Sequence, residues 1–386
     1  MLKTTIAHSL ELDSEDAVDE VIEQSGVKLG ELSPQAGMLF AGIDHDFELI
    51  VEKISRMYHG IELIGCTTDG EVSSVHGFSD DSVVLILFSS EDISFKAGVA
   101  DKVTKDSVAD LIKAVETAKS HLDQEPRLCI VTPTGWPGVI TGEDIIAALQ
   151  EALGEAIPIF GGFAGDQYRF EGTYQFWNNE VFTDAVPFLL MAGPLSYSFG
   201  VESGWMPIGR KAKVTQSDHN IVHRIGDQSA MDFVRHYLGE IVFPPISEFP
   251  LAIFEDDGES FCLRSSLGTD AEKGSITYTG PIPEGTTVQL THSTRDNIIE
   301  AAKASVNSAI AAYHGSRPSA ALCFSCTCRK QILGTRVGEE HLLLKSSFPD
   351  LPIAGFYCYG EIGLLERDRP SKLHNDTFYT LLIGAE

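Results

Sequence analysis

Three short segments of this chain join glycine to an acid: Asp69-Gly70-Glu71, Gly165-Asp166 and Gly360-Glu361. Glycine lets a backbone come close to a bound molecule and leaves amide N–H groups to donate. A carboxylate beside them can hold an ammonium or guanidinium group. Cys66, Thr67, Thr68, Tyr357 and Tyr359 adjoin these segments and would wall such a site, and Gly162 begins the run that ends at Gly165. A glycine next to an acid also often does no more than close a tight turn or cap the next element. For a single loop the two readings balance; recurrence in three places favours binding.

Other residues suggest chemistry less strongly. Arg329 follows an apolar run and can meet a ligand carboxylate, although a bridge to Glu339, Glu340 or Glu361 is the better reading. The seven cysteines are an odd number with no export signal ahead of them, so reduced thiols are expected. Cys323, Cys326 and Cys328 read as thiols of a buried strand. Cys323 and Cys326 have the gap of a metal knuckle, but no second Cys/His pair follows at zinc-like spacing, so no metal site is expected. Cys66, with Asp69 and His76 nearby, imitates a nucleophile and helpers, yet such groups normally converge through the fold and not through sequence. There is no Gly-x-Ser-x-Gly elbow and no phosphate loop. The helix that a dinucleotide loop at Gly161-Gly162-x-x-Gly165 would need is replaced by strand-like Tyr174-Gln175-Phe176-Trp177. The chain therefore reads as a binding protein and not an enzyme, with a Cys66 nucleophile as the enzymatic alternative.

The elements that must position these loops repeat. An apolar strand, a helix, an apolar strand ending in the glycine-acid loop and a further apolar strand recur three times. The first set is Ala36–Gly42, Phe47–Tyr58, Ile61–Val72 and Ser82–Ser90. The second is Arg127–Gly135, Glu143–Leu153, Ile157–Asp166 and Val186–Gly193. The third is Ala320–Cys326, a helix near Glu339–Phe348, Leu351–Gly363 and Thr377–Gly384. Phe47, Ile50, Val51 and Ile54 share a helical face, and Thr141 stands three residues before Asp144 as a cap. Strands apolar throughout fit burial on both faces. A further helix precedes each set, marked by Val18 and Val21, by Leu111 and Val115, and by Ile298, Ala302 and Val306. An extra helix, Asp227–Leu238, leads into Phe243-Pro244-Pro245-Ile246. Leu251–Thr291 reads as hairpins turning at Asp256-Asp257-Gly258, Glu272-Lys273-Gly274 and Pro283-Glu284-Gly285. The class is α/β: two domains of mixed sheets with repeated strand-helix-strand units. The division is a lead-in helix in 1–30, a first domain over 31–220 and a second over 221–386.

Composition narrows the function. With 56 acidic and 28 basic residues among 386, the formal charge is −28. A surface that negative repels nucleic-acid phosphates and anionic membranes. No apolar run approaches a membrane span, and the N-terminus lacks a signal-peptide core, which makes the cytoplasm the expected compartment.

Gly65-Cys66-Thr67-Thr68-Asp69-Gly70-Glu71, Pro158–Asp166, Gly204-Trp205-x-Pro207-Ile208-Gly209, Phe324-Ser325-Cys326-x-x-Arg329, Glu339-Glu340, Pro352–Gly363 and His374-Asn375-x-Thr377 together resemble the FIST family, whose N and C domains occur in tandem. The resemblance implies a bacterial-type sensory protein that binds a small, amino-acid-like ligand. It would act through a separate partner such as a histidine kinase, a chemoreceptor or a cyclic-di-GMP cyclase or phosphodiesterase. Some members that this chain resembles are haem-binding nitric-oxide sensors, so haem is the cofactor the resemblance raises. None of the twelve histidines lies in a Cys-x-x-Cys-His attachment motif. One departure stands out: Cys326-Thr327-Cys328-Arg329 carries a thiol beyond the family pattern.

Overall fold

The computed structural model describes residues 1–29, 32–104, 107–135, 140–239, 248–255 and 257–386. The proline-rich segment 243–246 and Asp256 of the first hairpin turn lie outside the described residues.

The threefold repetition organises the molecule. Unit I runs strand Lys3–Ser9, helix Ser14–Leu29, strand Ala36–Ala41, helix Phe47–Met57, strand Glu62–Thr67, a hairpin of Glu71–Ser73 and Gly77–Ser79, and strand Val83–Ser89. Unit II repeats that order from Ser94–Ala100 to Val186–Ala192, its hairpin being Gln175–Trp177 with Glu180–Phe182. Unit III runs from Leu195–Glu202 to Phe378–Ala385, with its hairpin at Glu361–Gly363 and Lys372–His374. Helices begin and end where the sequence provides caps. The Asp46, Thr141, Ser229 and Thr294 side chains each accept a first-turn N–H, and Gly154 and Gly239 close helices at positive φ.

Each unit contributes four strands to its own sheet and sends its hairpin to a neighbour's. Unit I's hairpin pairs with Ile353–Cys358 of unit III, unit II's with Glu62–Thr67 of unit I, and unit III's with Ile159–Gly162 of unit II. Three six-stranded mixed sheets result. Their inner faces meet in one core that takes Met38, Phe40, Ile64, Leu128, Ile130, Phe160, Leu322, Phe324 and Phe356 from all three. Full burial of each such side chain contributes about 1.5–3 kcal/mol. Helices cover the outer faces in three separate clusters. Strands with an apolar face on each side explain the unbroken hydrophobic runs.

An insertion between the first strand and first helix of unit III forms a fourth, antiparallel sheet from strands between Met206 and His292, with helix Ala230–Leu238 packed on it. Two details differ from the sequence reading. Strand Lys3–Ser9 precedes the lead-in helix, and Cys328 lies on helix Thr327–Leu333, not on a strand. No helix among the described residues is long and apolar enough to cross a membrane.

Candidate functional site

The three glycine-acid loops meet. Asp69 N donates to Tyr357 O at 2.9 Å, Tyr359 N to Phe163 O at 3.2 Å, and Gly165 N to Thr67 O at 2.9 Å. A second set of three runs the opposite way: Tyr357 N to Gly70 O, Phe163 N to Gly360 O and Thr67 N to Tyr174 O, each at 2.9 Å. Every unit thus donates to and accepts from both others, closing a ring of buried backbone hydrogen bonds. Small residues permit the approach: a Cβ on Gly65 would meet Leu39 O, on Gly161 Val131 O, and on Gly355 Cys323 O, all inside contact distance.

Glu71 and Glu361 stand at one repeated position of this ring, and unit II places Gln175 there. Each is paired with the residue after the repeated glycine: Phe356, Gly162 and Cys66 respectively. Each accepts a hydrogen bond from the backbone N–H just before its unit's last strand. Ser82 N donates to Glu71 at 3.0 Å, Thr377 N to Glu361 at 3.1 Å and Ala185 N to Gln175 at 3.1 Å. Ser82 and Thr377 add their hydroxyls at 2.6 Å. All three side chains are fully buried. Burial pushes the Glu71 carboxyl up to about 7 and that of Glu361 up to about 8, against the hydrogen bonds that favour the charged forms. These groups fasten one strand to the next and have little left for a ligand. Thr68 serves the same fastening, donating to Glu71 and accepting from Gly70 N.

At Asp69, Gly165 and Tyr359, which hold equivalent places in the ring through their backbone N–H donors, the units part company. Asp69 is buried. It accepts from Gln167 N at 2.6 Å and from the Thr327 hydroxyl, while Lys330 bonds its carbonyl oxygen. Gly165 leaves the space that Asp69 fills, since a Cβ there would strike the Asp69 carboxylate. Asp166 accepts from Tyr359 Oη and from the amides of Glu171 and Gly172, and Tyr359 Oη in turn accepts from Tyr168 N at 2.8 Å. Phe170 stacks on Tyr359 with ring centroids 5.4 Å apart. Gln167, Tyr168 and Phe170 all have positive φ, at 58°, 61° and 51°. Three non-glycine residues in that region of backbone space store strain, which proteins concentrate at functional loops. Burial raises the Asp69 carboxyl to about 6, partly offset by Thr327, Gln167 and Lys330. The cluster therefore holds an acid poised between neutral and charged, with lone pairs beyond those its partners use.

The remaining sequence candidates fall elsewhere. Arg329 is fully buried and its donors are spent. Nε and an Nη bond Glu340 at 2.9 and 2.6 Å, and the others reach carbonyls of Ser203, Ile298 and Asp376. Tyr357 Oη and Ser325 Oγ donate to the same Glu340. Arg329 and Tyr357 thus form a bridge that ties the insertion's stem to unit III. Cys66 lies in the central core, its thiol pushed well up by burial and by Glu71. A protonated, enclosed thiol gives the nucleophile reading no footing. Gly162 sits opposite Glu361, where a Cβ would press on Cys358.

Two histidines, His8 and His374, are fully buried, as a haem axial ligand would be. His8 bonds Ser73 Oγ through Nδ1 at 2.7 Å and Ser82 Oγ through Nε2 at 2.8 Å, and His374 Nε2 bonds Gly363 O at 3.2 Å. Burial drives both down to about 3, so both are neutral and already engaged. They do not fit haem ligation. Sequence reasoning missed Gln167, Tyr168, Thr327, Lys330 and Asp376. Adjacency to Gly165-Asp166, to Arg329 and to Asn375 was the only signal they carried.

The sequence matches place this chain in a class of tandem sensory modules. Residues 35–228 match the FIST N domain and residues 230–364 the FIST C domain, and the chain belongs to the FIST family. FIST domains are sensory, small-ligand-binding domains of signal transduction. The chain is 24% identical over 220 residues to an uncharacterized protein of Methanocaldococcus jannaschii, an alignment that takes in 53% of this chain and 42% of that protein's length. A cyanuric acid hydrolase from A. caulinodans aligns over 100% of both chains at 9% identity and a TM-score of 0.40, a level at which nothing of function carries across.

Proposed function

We propose that the chain binds one small cationic or zwitterionic ligand, amino-acid-like, at the Asp69–Asp166–Tyr359 cluster and relays its occupancy to a separate signalling partner. It does so without chemical turnover. The observation that carries the reading is the contrast within the ring. Where the units agree, the side chains fasten strands; at the ring position of Asp69, Gly165 and Tyr359, where they differ, two acids, a phenol and a strained loop gather. A cation would favour the charged form of Asp69 and displace its proton. Occupancy would then bear on all three units at once, because the loop is hydrogen-bonded into the ring. A ligand that prefers one arrangement of the loop shifts the population the partner reads.

Titration calorimetry of the full chain against amino acids and related amines tests this. Saturable one-site binding by a member of the panel, lost in Asp69→Asn, is the expected result. No heat from any member, by a chain whose folding is verified, sinks the reading.

A further inference from the structure

Beside the ring, but not part of it, three potential metal ligands from distant parts of the sequence lie together. Cys326 Sγ, Cys328 Sγ and an Asp376 carboxylate oxygen are all within 4.8 Å of one another. All three residues are buried. The arrangement follows from local structure. Cys326 ends strand Ala320–Cys326 as the N-cap of helix Thr327–Leu333, and that change of conformation turns Cys328 back onto the same side. Cys323, three residues back along the strand and so on its opposite face, belongs to the outer cluster of unit III and is not in the group. Asp376 is held at φ 61°, left-handed for a non-glycine residue, with its carboxylate directed at the thiols: Cys326 Sγ is 3.9 Å from Oδ1. Its other oxygen accepts from Ser265 Oγ at 2.7 Å, and Ser265 Oγ is 3.7 Å from Cys328 Sγ. Ser265 comes from the inserted sheet, so the cluster is closed by three separate regions of chain.

The geometry points to a binding site for a thiophilic divalent cation of the zinc class, held by Cys326, Cys328 and Asp376 with Ser265 orienting the carboxylate. Two thiolates and a carboxylate are a zinc-type donor set, and three protein ligands leave a position open, as in sites that accept an exogenous ligand. A fourth group is at hand. The Tyr168 hydroxyl is buried beside Cys328, Cys326 and Thr327 without a hydrogen bond of standard geometry. A metal-bound water in the open position would give this hydroxyl a partner of good geometry. Binding of the ion by two thiolates releases a proton from each thiol. The extra thiol that sets this chain apart from the family pattern is the one that completes the set. This site does not depend on the amino-acid-like ligand: metal would bind with the Asp69 cluster empty, and either proposal can fail alone.

The test uses the full chain, reduced and stripped with chelator, titrated with Zn2+ against a chromophoric competitor and with Co2+ followed by absorption. One equivalent should bind, with an intense thiolate-to-cobalt charge-transfer band and two protons released per metal. Cys328→Ser and Asp376→Asn should abolish the band, and Ser265→Ala should weaken binding about 10- to 100-fold, the usual effect of an orienting partner. Cys323→Ser and Cys262→Ser should leave it unchanged, and circular dichroism confirms that each variant is folded. Failure of the reduced chain to bind a stoichiometric metal would overturn the proposal. So would a band that survives Cys328→Ser in a folded variant, or one that disappears in Cys262→Ser.

Discussion

Units I and III fasten their last strand with Glu71 and Glu361, whereas unit II does the same with Gln175. The neutral amide shows what the acids are for. Gln175 Nε2 donates to Thr173 Oγ1 at 2.9 Å while its oxygen accepts from Ala185 N. A protonated Glu71 can match this, with one oxygen donating to Thr68 and the other accepting from Ser82. The position requires an acceptor paired with a donor, not a charge. At the ring position of Asp69, Gly165 and Tyr359 no such equivalence exists: aspartate, glycine and tyrosine occupy the three places. Symmetry in this protein marks what holds the fold, and its breaking marks where we propose that a ligand binds.

The comparison can be broken most severely where a charge is indispensable. Arg329→Met strands Glu340 in the core without its partner, and losing one member of a buried pair costs about 3–5 kcal/mol. Urea unfolding should show the loss as a lowered midpoint at unchanged slope. A change of midpoint within experimental error would mean that the bridge is not what secures the insertion's stem. Next in size is Glu71→Ala, which removes the acceptor from Ser82 N and Oγ. Each buried donor left unpaired costs about 1–3 kcal/mol, and the same measurement reads it.

Glu71→Gln with Glu361→Gln should be nearly neutral, within about 1 kcal/mol of wild type near pH 6, because hydrogen-bond geometry is kept. Its signature is in the pH dependence. Both carboxyls are raised above the ordinary 4.5, to about 7 and about 8. The native state therefore holds protons that the unfolded chain releases. Their contribution to stability is complete below about 4.5 and is lost as pH rises through 7 to 8. Melting curves from pH 5 to 8.5 should fall steadily for the wild type and flatten in the double glutamine variant. Equal slopes would show that both acids are charged in the native state across that range.

Much of this was legible in the sequence, for identifiable reasons. Strands buried on both faces write continuous apolar runs, such as Val83–Phe88, and the repeated glycine before each loop exposed the three units. The first strand, Lys3–Ser9, escaped notice because Lys-Thr-Thr-Ile-Ala-His-Ser has only one large apolar residue; Thr5, His8 and Ser9 are nonetheless buried, in a strand paired with Val83–Ser89, and His8 bonds two serine hydroxyls. The exchange of hairpins was invisible, since short strands such as Glu71–Ser73 carry no mark of which sheet they join. The cluster was only half legible. Asp69, Gly165, Asp166 and Tyr359 stand in the glycine-rich motifs. Thr327 and Lys330 come to Asp69 from more than 250 residues away, and Gln167 and Tyr168 owe their place to positive φ that no residue type announces.

The central claim, that the repeated geometry of the ring is structural and its asymmetric position is the proposed binding site, is tested most directly by one thermal-shift experiment. Wild type, the Glu71→Gln/Glu361→Gln double variant and Asp69→Asn are melted side by side against the same amino-acid and amine panel. The account predicts that the double variant keeps the wild-type pattern of ligand-induced stabilisation and that Asp69→Asn loses it while remaining folded. A folded double variant that no longer responds, or an Asp69→Asn variant that responds like wild type, would contradict it.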